Sequence, residues 1–202
     1  MTEFVVDLID RMGLVGIFLM MALENIIPPL PSEAVMGGAA LAIEQGRMEF
    51  WSVLVAGTLG TLSGNYFWFW IGHKYGYERL EPFIARFGRW LTVEWEDVEQ
   101  ASAFFRKHGH WMVLVLRTTP VMRTLISLPA GLSHMPIVRF VIFTSIGAAV
   151  WNVILINGTR WLVRMFPQAK DWIAIAIVAI VILAVVGYIY RYLTWKPRAE
   201  RG

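Results

Sequence analysis

Cysteine is absent from the 202-residue sequence, and charged side chains make up only 16% of it. The lack of cysteine excludes a disulfide-stapled secreted module, thiolate catalysis and cysteine-ligated metal sites. The charged share lies below the ~25% that is usual for a soluble domain, and so little charge is not typical of a disordered chain. A water-soluble enzyme is therefore a poor first interpretation.

Apolar and aromatic residues are what the sequence has in excess. Hydrophobic residues make up 57% of it, including 12 Phe, 10 Trp and 6 Tyr, and the mean hydropathy is +0.55. A soluble domain of this length lacks the interior volume to bury so much apolar surface. The net charge of +3 fits basic cytoplasmic loops beside anionic lipid better than nucleic-acid binding. We therefore predict an integral membrane protein.

Three long apolar stretches predict transmembrane helices, at residues 50–72, 136–159 and 172–193. The first contains no charged side chain, and at 1.5 Å per residue it gives ~34 Å of helix, which crosses a ~30 Å hydrocarbon core. The third carries tryptophan and tyrosine near its ends, where such residues anchor a helix at the membrane surface.

Two further apolar regions, residues 13–45 and 111–135, predict re-entrant helical hairpins. Three prolines within residues 28–31 interrupt the first region, and residues 117–123, which include Pro120, interrupt the second. The helical halves of the first region have ten to twelve residues and reach ~15–18 Å, which is about half of a bilayer, and the second region repeats this design. Broken backbone at that depth must be buried in protein or line a wet cavity, because lipid cannot satisfy its polar groups.

The remaining segments predict surface helices. Residues 1–12 carry acidic residues where a secretory signal needs basic ones, and they fit an amphipathic helix at the membrane interface. Residues 73–110 are polar and predict cytoplasmic amphipathic helices, with Thr92 as an N-cap and basic residues in the last turn. Within the first transmembrane stretch, Gly57, Gly60 and Gly64 share one helix face, which predicts close helix packing.

The distribution of Lys and Arg sets the predicted orientation. With the loop at 74–107 and the C-terminal tail in the cytoplasm, that side holds ten Lys and Arg, or eleven with Arg139, and the other side holds five. The two hairpins then open to opposite sides of the membrane. We therefore predict an all-α polytopic membrane protein of two inverted repeats, each a re-entrant hairpin plus a transmembrane helix, followed by a C-terminal transmembrane helix. Secondary transporters with this architecture bind their substrate where the broken helices meet.

Four charged residues at the predicted hairpin breaks need an explanation: Glu24, Glu33, Arg117 and Arg123. An ionisable group at depth costs at least ~2.5–3.5 kcal/mol and usually marks a pathway or pairs with an opposite charge. One interpretation is a set of buried salt bridges that only joins the hairpin tips. We favour binding, because burying four charges is a poor way to gain stability alone.

In the binding interpretation, Arg117 and Arg123 hold a phosphate through their forked donors. Backbone N–H groups at the helix start, residues 32–34, add to this site, and Glu24 or Glu33 carries a proton. Asn65 either forms a hydrogen bond across helices or contacts the ligand. The sequence shows no metal-ligand spacing and no nucleophile motif, so we expect no metal, no cofactor and no enzyme.

Three ordered motifs stand out between residues 13 and 160: Glu24-Asn25 with Pro31-Ser32-Glu33, then Gly60 with Gly64-Asn65-Tyr66, Ile71-Gly72 and Gly76, then Arg117 with Pro120, Arg123, Pro129-Ala130-Gly131, Met135, Phe140, Gly147 and Trp151. Together they resemble the DedA family, also called SNARE-associated or VTT-domain membrane proteins. An aspartate often stands in the family where this chain has Asn65, so an acidic role at that position is in doubt.

The resemblance implies a multi-pass lipid transporter of the bacterial inner (cytoplasmic) membrane. Its substrate would be an anionic phosphate-headed lipid, undecaprenyl phosphate, moved from the outer to the inner leaflet, and the family expectation includes coupling to the proton-motive force. Family residues needed for function map onto Glu24, Glu33, Arg117 and Arg123. A homo-oligomer is compatible with this resemblance.

Three alternatives remain beside this function. A phosphatidylethanolamine or general phospholipid translocase or scramblase would use Glu24 or Glu33 to accept the amine of its substrate. A membrane phosphatase would need a positioned nucleophile or a metal cluster. A non-transporting membrane assembly factor would tolerate loss of Arg117 and Arg123 whenever folding survives.

Overall fold

The computed structural model describes residues 2–26, 32–91, 95–108, 111, 113, 126–166 and 169–194. Every regular element within these residues is an α-helix, which agrees with the predicted all-α class. In chain order the helices are α1 (Thr2–Ile26), α2 (Ser32–Glu44), α3 (Phe50–Leu91), α4 (Trp95–His108), α5 (Ser127–Leu132), α6 (Ile137–Met165) and α7 (Ala169–Thr194).

The chain divides into two compact units that do not coincide with the two predicted repeats. Unit 1 comprises Met1–Gly64 and Ser145–Val185, and unit 2 comprises Asn65–Thr144 and Val186–Gly202. Helices α3 and α6 each contribute one part to each unit. The division falls inside these helices because one part of each packs on α1 and α2, whereas the other part packs on α5. The inverted repeat therefore stays a prediction.

Helix α1 is broken at Gly13, which lies at the predicted boundary between residues 1–12 and the first hairpin. Gly13 has φ 56° and ψ −135°, a conformation that side chains with a Cβ rarely adopt. The second part of α1 packs against α2. Helix α1 ends at Ile26 and helix α2 begins at Ser32, and the segment with the three prolines lies between them. That segment lies outside the described residues, and re-entry into the membrane stays a prediction.

Unit 1 has an apolar core between α1, α2, α3 and α6. Its largest members are Ile17, Met21, Met36, Val53 and Ile156, all almost fully buried. The glycines of α3 allow the helices to approach closely here. A Cβ added at Gly60 would lie 2.9 Å from the Cβ of Met21, and one added at Gly64 would lie 2.7 Å from the Cβ of Asn25. The predicted packing role of these glycines is confirmed.

Unit 2 has an aromatic core in which Phe69 of α3 stacks on Phe140 of α6, with ring centroids 4.1 Å apart. Ala130 of α5 is buried in the same cluster. Helix α4 packs against α5 through Val98 and Leu132. Helix α5 therefore lies between α3 and the amphipathic α4. Because α5 is buried, the side chains at its start are held in place.

Helix α3 is longer than the predicted transmembrane stretch, because it runs on from residue 72 to Leu91 with a single break at Gly76 (φ 65°). A separate helix, Trp95–His108, lies within the region where the sequence predicts cytoplasmic amphipathic helices. The predicted N-cap, Thr92, lies outside the described residues. Among the described residues, Ile137–Met165 alone is both long and apolar enough to cross a membrane. Spans at residues 50–72 and 172–193 stay predictions.

Candidate functional site

Glu24 is a buried carboxylate at the C-terminal end of α1. Only 4% of its surface is exposed, and the last turn of α1 contains no basic residue. The neighbouring Asn25 donates a hydrogen bond from Nδ2 to the backbone carbonyl of Met21, at 2.8 Å. Burial and the negative end of the helix dipole both oppose a charge at Glu24. Such a group is costly unless a function or a partner retains it.

The N-terminal end of α2 has the opposite electrostatic character. Glu33 lies in its first turn, where the positive end of the helix dipole favours a carboxylate. Ser32 is fully buried, and its hydroxyl forms no hydrogen bond within the described part of the chain. The first N–H groups of any helix lack intrahelical partners and attract anions. This end of α2 therefore offers a buried hydroxyl beside donors suited to an anion.

Asn65 forms a buried polar contact across helices in unit 2. Ser127 at the start of α5 donates a hydrogen bond from Oγ to Oδ1 of Asn65, at 2.7 Å, and both side chains are fully buried. The cross-helix hydrogen bond, one of the two roles open to Asn65, is thus present. A contact between Asn65 and a ligand stays a prediction.

The Asn65–Ser127 hydrogen bond supports a stability prediction. Ser127→Ala removes the hydroxyl donor, and we expect it to lower the free energy of unfolding by ~1–3 kcal/mol because a buried amide oxygen loses this partner. Thermal unfolding of the purified protein in detergent measures the effect. The control is Ser63→Ala, because Ser63 is exposed and its hydroxyl donates to the backbone carbonyl of Leu59 in its own helix. Equal unfolding temperatures for the two variants would contradict the prediction.

Arg117 and Arg123 lie outside the residues that the structure describes. The predicted meeting of these guanidiniums with Glu24 and Glu33 therefore stays a prediction, as do their roles in binding. Two histidines of unit 2 have described side chains: His73 and His134 face each other edge to face at 5.3 Å. Over the described ranges, the structure contains no group of three His, Asp or Glu side chains that could hold a metal ion.

Unit 1 also contains an arginine cluster formed by Glu44, Arg160 and Arg164. None of these is a predicted site residue. Glu44, the last residue of α2, accepts a hydrogen bond from Nε of Arg160 at 2.5 Å. It also accepts two hydrogen bonds from Arg164, at 3.0 and 3.1 Å. Hydrogen bonds from Arg164 and then Arg160 lower the pKa of Glu44 below its ordinary value. The four-residue spacing of the two arginines is a signal that places them on one face of α6.

Comparisons with known proteins bear on residues in both units. A family model described as the VTT domain matches residues 27–159. The protein named undecaprenyl phosphate transporter A of Staphylococcus aureus is 30% identical over 99% of this chain and 100% of its own length. Its namesake in Bacillus subtilis is 28% identical over 76% of this chain and 76% of its own. An alkaline phosphatase-like protein of Lactococcus lactis is 29% identical over 89% and 86%. No solved structure matches the chain.

Proposed function

Because the chain belongs to the VTT-domain family of membrane proteins, also called the DedA family, we propose that it moves undecaprenyl phosphate from the outer to the cytoplasmic leaflet. Family membership places it in a membrane and points to a transporter rather than an enzyme. The observation that supports this substrate best is the full-length similarity to a relative named for transport of that lipid. The head group crosses on the protein while the polyprenyl tail stays in the bilayer.

Arg117 and Arg123 bind the lipid phosphate in this proposal. A guanidinium presents paired donors that match two phosphate oxygens, and its charge persists at any physiological pH. The N-terminal end of α2 supports the same chemistry, because the hydroxyl of Ser32 and the first N–H groups of α2 are further donors for an anion. In this proposal Asn65 also contacts the lipid head group through its side-chain amide.

Glu24 carries the proton in this proposal. Glu24 is buried at the C-terminal end of α1, and buried carboxyl groups in membrane proteins serve as proton carriers on transport paths. Glu33 lies instead in the first turn of α2, beside the backbone donors that this proposal gives to the phosphate. We therefore assign the proton-coupling role to Glu24, and we assign Glu33 to the electrostatics that orient the head group.

Proteoliposomes with three labelled lipids test this function: undecaprenyl phosphate, undecaprenol and phosphatidylethanolamine. An impermeant quencher reports the fraction of each lipid in the outer leaflet while an imposed proton gradient is applied. We expect the protein to move undecaprenyl phosphate at least ~10-fold faster than undecaprenol, because only the former offers a phosphate to the arginines. Equal rates for all three lipids, or faster movement of phosphatidylethanolamine, would contradict the proposal.

A membrane phosphatase is the second candidate, because a relative of similar identity bears the name alkaline phosphatase-like. The same proteoliposomes distinguish the two functions without a further preparation. A phosphatase releases inorganic phosphate and converts the substrate to undecaprenol, whereas a transporter leaves it intact. We expect no phosphate release above that of empty liposomes during the time in which transport is complete.

A further inference from the structure

An open apolar groove runs along unit 1 between α1 and α3. Leu14, Val15 and Phe18 line one wall, and Trp51, Val55 and Leu59 line the other. Its volume is about 560 Å³, which lies within the range of small-molecule binding sites. Trp51 is 66% exposed and Val55 is 54% exposed. In a membrane protein such a surface faces hydrocarbon, so its natural occupant is an apolar chain.

A continuous line of contacts joins this groove to the arginine cluster. The guanidinium of Arg160 lies 5.9 Å from the ring centre of Phe50, and the Phe50 and Trp51 rings meet edge to face at 5.2 Å. Trp51 is itself part of the groove wall. The C-terminal end of α2, the start of α3 and the end of α6 therefore meet at this end of unit 1, where charged side chains border the apolar surface.

The cluster has an excess of positive charge. Two guanidiniums, those of Arg160 and Arg164, bond to the single carboxylate of Glu44, so the three groups carry a net charge of one positive. The Arg164 side chain is 64% exposed, so a phosphate from the membrane surface can reach those of its N–H donors that do not bond to Glu44.

We propose that the groove and the arginine cluster together dock the polyprenyl phosphate lipid before its head group enters the transport site. The phosphate contacts Arg160 and Arg164, and the first isoprene units lie along α1 and α3 beside Trp51. Charge complementarity selects a singly phosphorylated lipid, and the apolar groove selects a lipid over free phosphate. This inference rests on the proposed function, because it takes its occupant from the substrate class proposed there.

A photo-crosslinking benzophenone amino acid at Val55 tests the docking site in nanodiscs made of zwitterionic phospholipid. We expect it to capture undecaprenyl phosphate at least ~10-fold more than undecaprenol at equal concentration. The same probe at Val150, which is 45% exposed on α6 and outside the groove, is the location control. It should capture the two lipids equally. Equal capture at Val55, or no capture there, would overturn the proposal.

Arg164→Gln separates head-group docking from transport chemistry. We expect it to lower capture of undecaprenyl phosphate at Val55 by roughly tenfold and to raise the lipid concentration for half-maximal transport by a similar factor, with the maximal rate unchanged. Arg139→Gln is the matched control, since this exposed arginine lies at the other end of α6. If the protein captures undecaprenyl phosphate selectively at Val55 but does not transport it, the proposed function alone is refuted. Unselective capture with transport intact would refute the docking site alone.

Discussion

Arg123→Ala is expected to lower the rate of undecaprenyl phosphate transport in proteoliposomes by roughly 10- to 100-fold, the factor that corresponds to losing charge-assisted hydrogen bonds. Arg117→Ala should have an effect of the same order, because the two guanidiniums share one phosphate in the proposed site. The measurement is the initial rate of transport at equal amounts of reconstituted protein. The control is Arg139→Ala, which removes the same charge from an exposed position on α6.

Arg123→Lys distinguishes phosphate binding from a purely structural role. Lysine keeps the charge but loses the planar fork, so transport should stay impaired while the unfolding temperature stays close to that of the original protein. If the arginines served only to join the hairpin tips, Arg123→Ala would lower the unfolding temperature and transport together. Normal transport by Arg117→Ala and Arg123→Ala in well-folded protein would instead favour a non-transporting assembly factor.

Gly64→Ala is expected to destabilise unit 1 by about 2–3 kcal/mol, the upper part of the range for overpacking. The added Cβ would overlap the backbone carbonyl oxygen of Ala22 and would lie 2.7 Å from the Cβ of Asn25. Neither is the far end of a flexible side chain, so α1 must shift away from α3. Because Glu24 lies between these two residues in sequence, transport should fall as well. Thermal unfolding in detergent measures the loss of stability.

Gly158→Ala is the matched control for this variant. Gly158 is also a helical glycine of unit 1, but beyond its own stretch of helix a Cβ added there would meet no atom of the described residues within 4 Å. Alanine favours a helix over glycine by about 1 kcal/mol, so this variant should unfold at the same temperature as the original protein or higher. Equal destabilisation by Gly64→Ala and Gly158→Ala would show that close helix packing is not what requires glycine at position 64.

The features that the sequence predicted well are those with a short-range cause. The spacing of Gly57, Gly60 and Gly64 follows from the period of a single helix, and the structure places each of them against a neighbouring helix. Gly13 marks the break in α1 because its backbone conformation suits glycine. The all-α class followed from composition and from apolar stretches long enough to form helices.

The features that the sequence did not predict join residues that lie far apart in the chain. A hydrogen bond from Asn65 across helices was one of its two predicted roles, but the partner, Ser127, was not predicted. Ser127 lies 62 positions away, and a serine without a nearby base carries no local signal of that contact. Arg160 bonds to Glu44 across 116 positions. The sequence predicted for Arg160 and Arg164 only a position outside the cytoplasm, because a charge pattern along one helix does not reveal the acid opposite it. Tertiary packing decides such pairs.

The inverted repeat is an example of a pattern that hydropathy alone does not fix. Hydropathy divides the chain at its apolar stretches, whereas packing divides it after residues 64, 144 and 185. A long helix such as α3 can take part in two compact units, because each of its turns packs independently of its distant turns. The proposed site depends on the segment with the three prolines and on the segment with Arg117 and Arg123. Hydropathy does not specify which side chains meet there, because tertiary contacts decide it.

A structure of the protein purified with undecaprenyl phosphate tests the central claim most directly. The claim is that two arginines and a helix start recognise the phosphate of a lipid whose tail remains in the bilayer. Density for the phosphate within hydrogen-bond distance of Arg117 and Arg123, near the start of α2, is the expected result. Phosphate density remote from both arginines, or no bound lipid at saturating concentration, would contradict the claim.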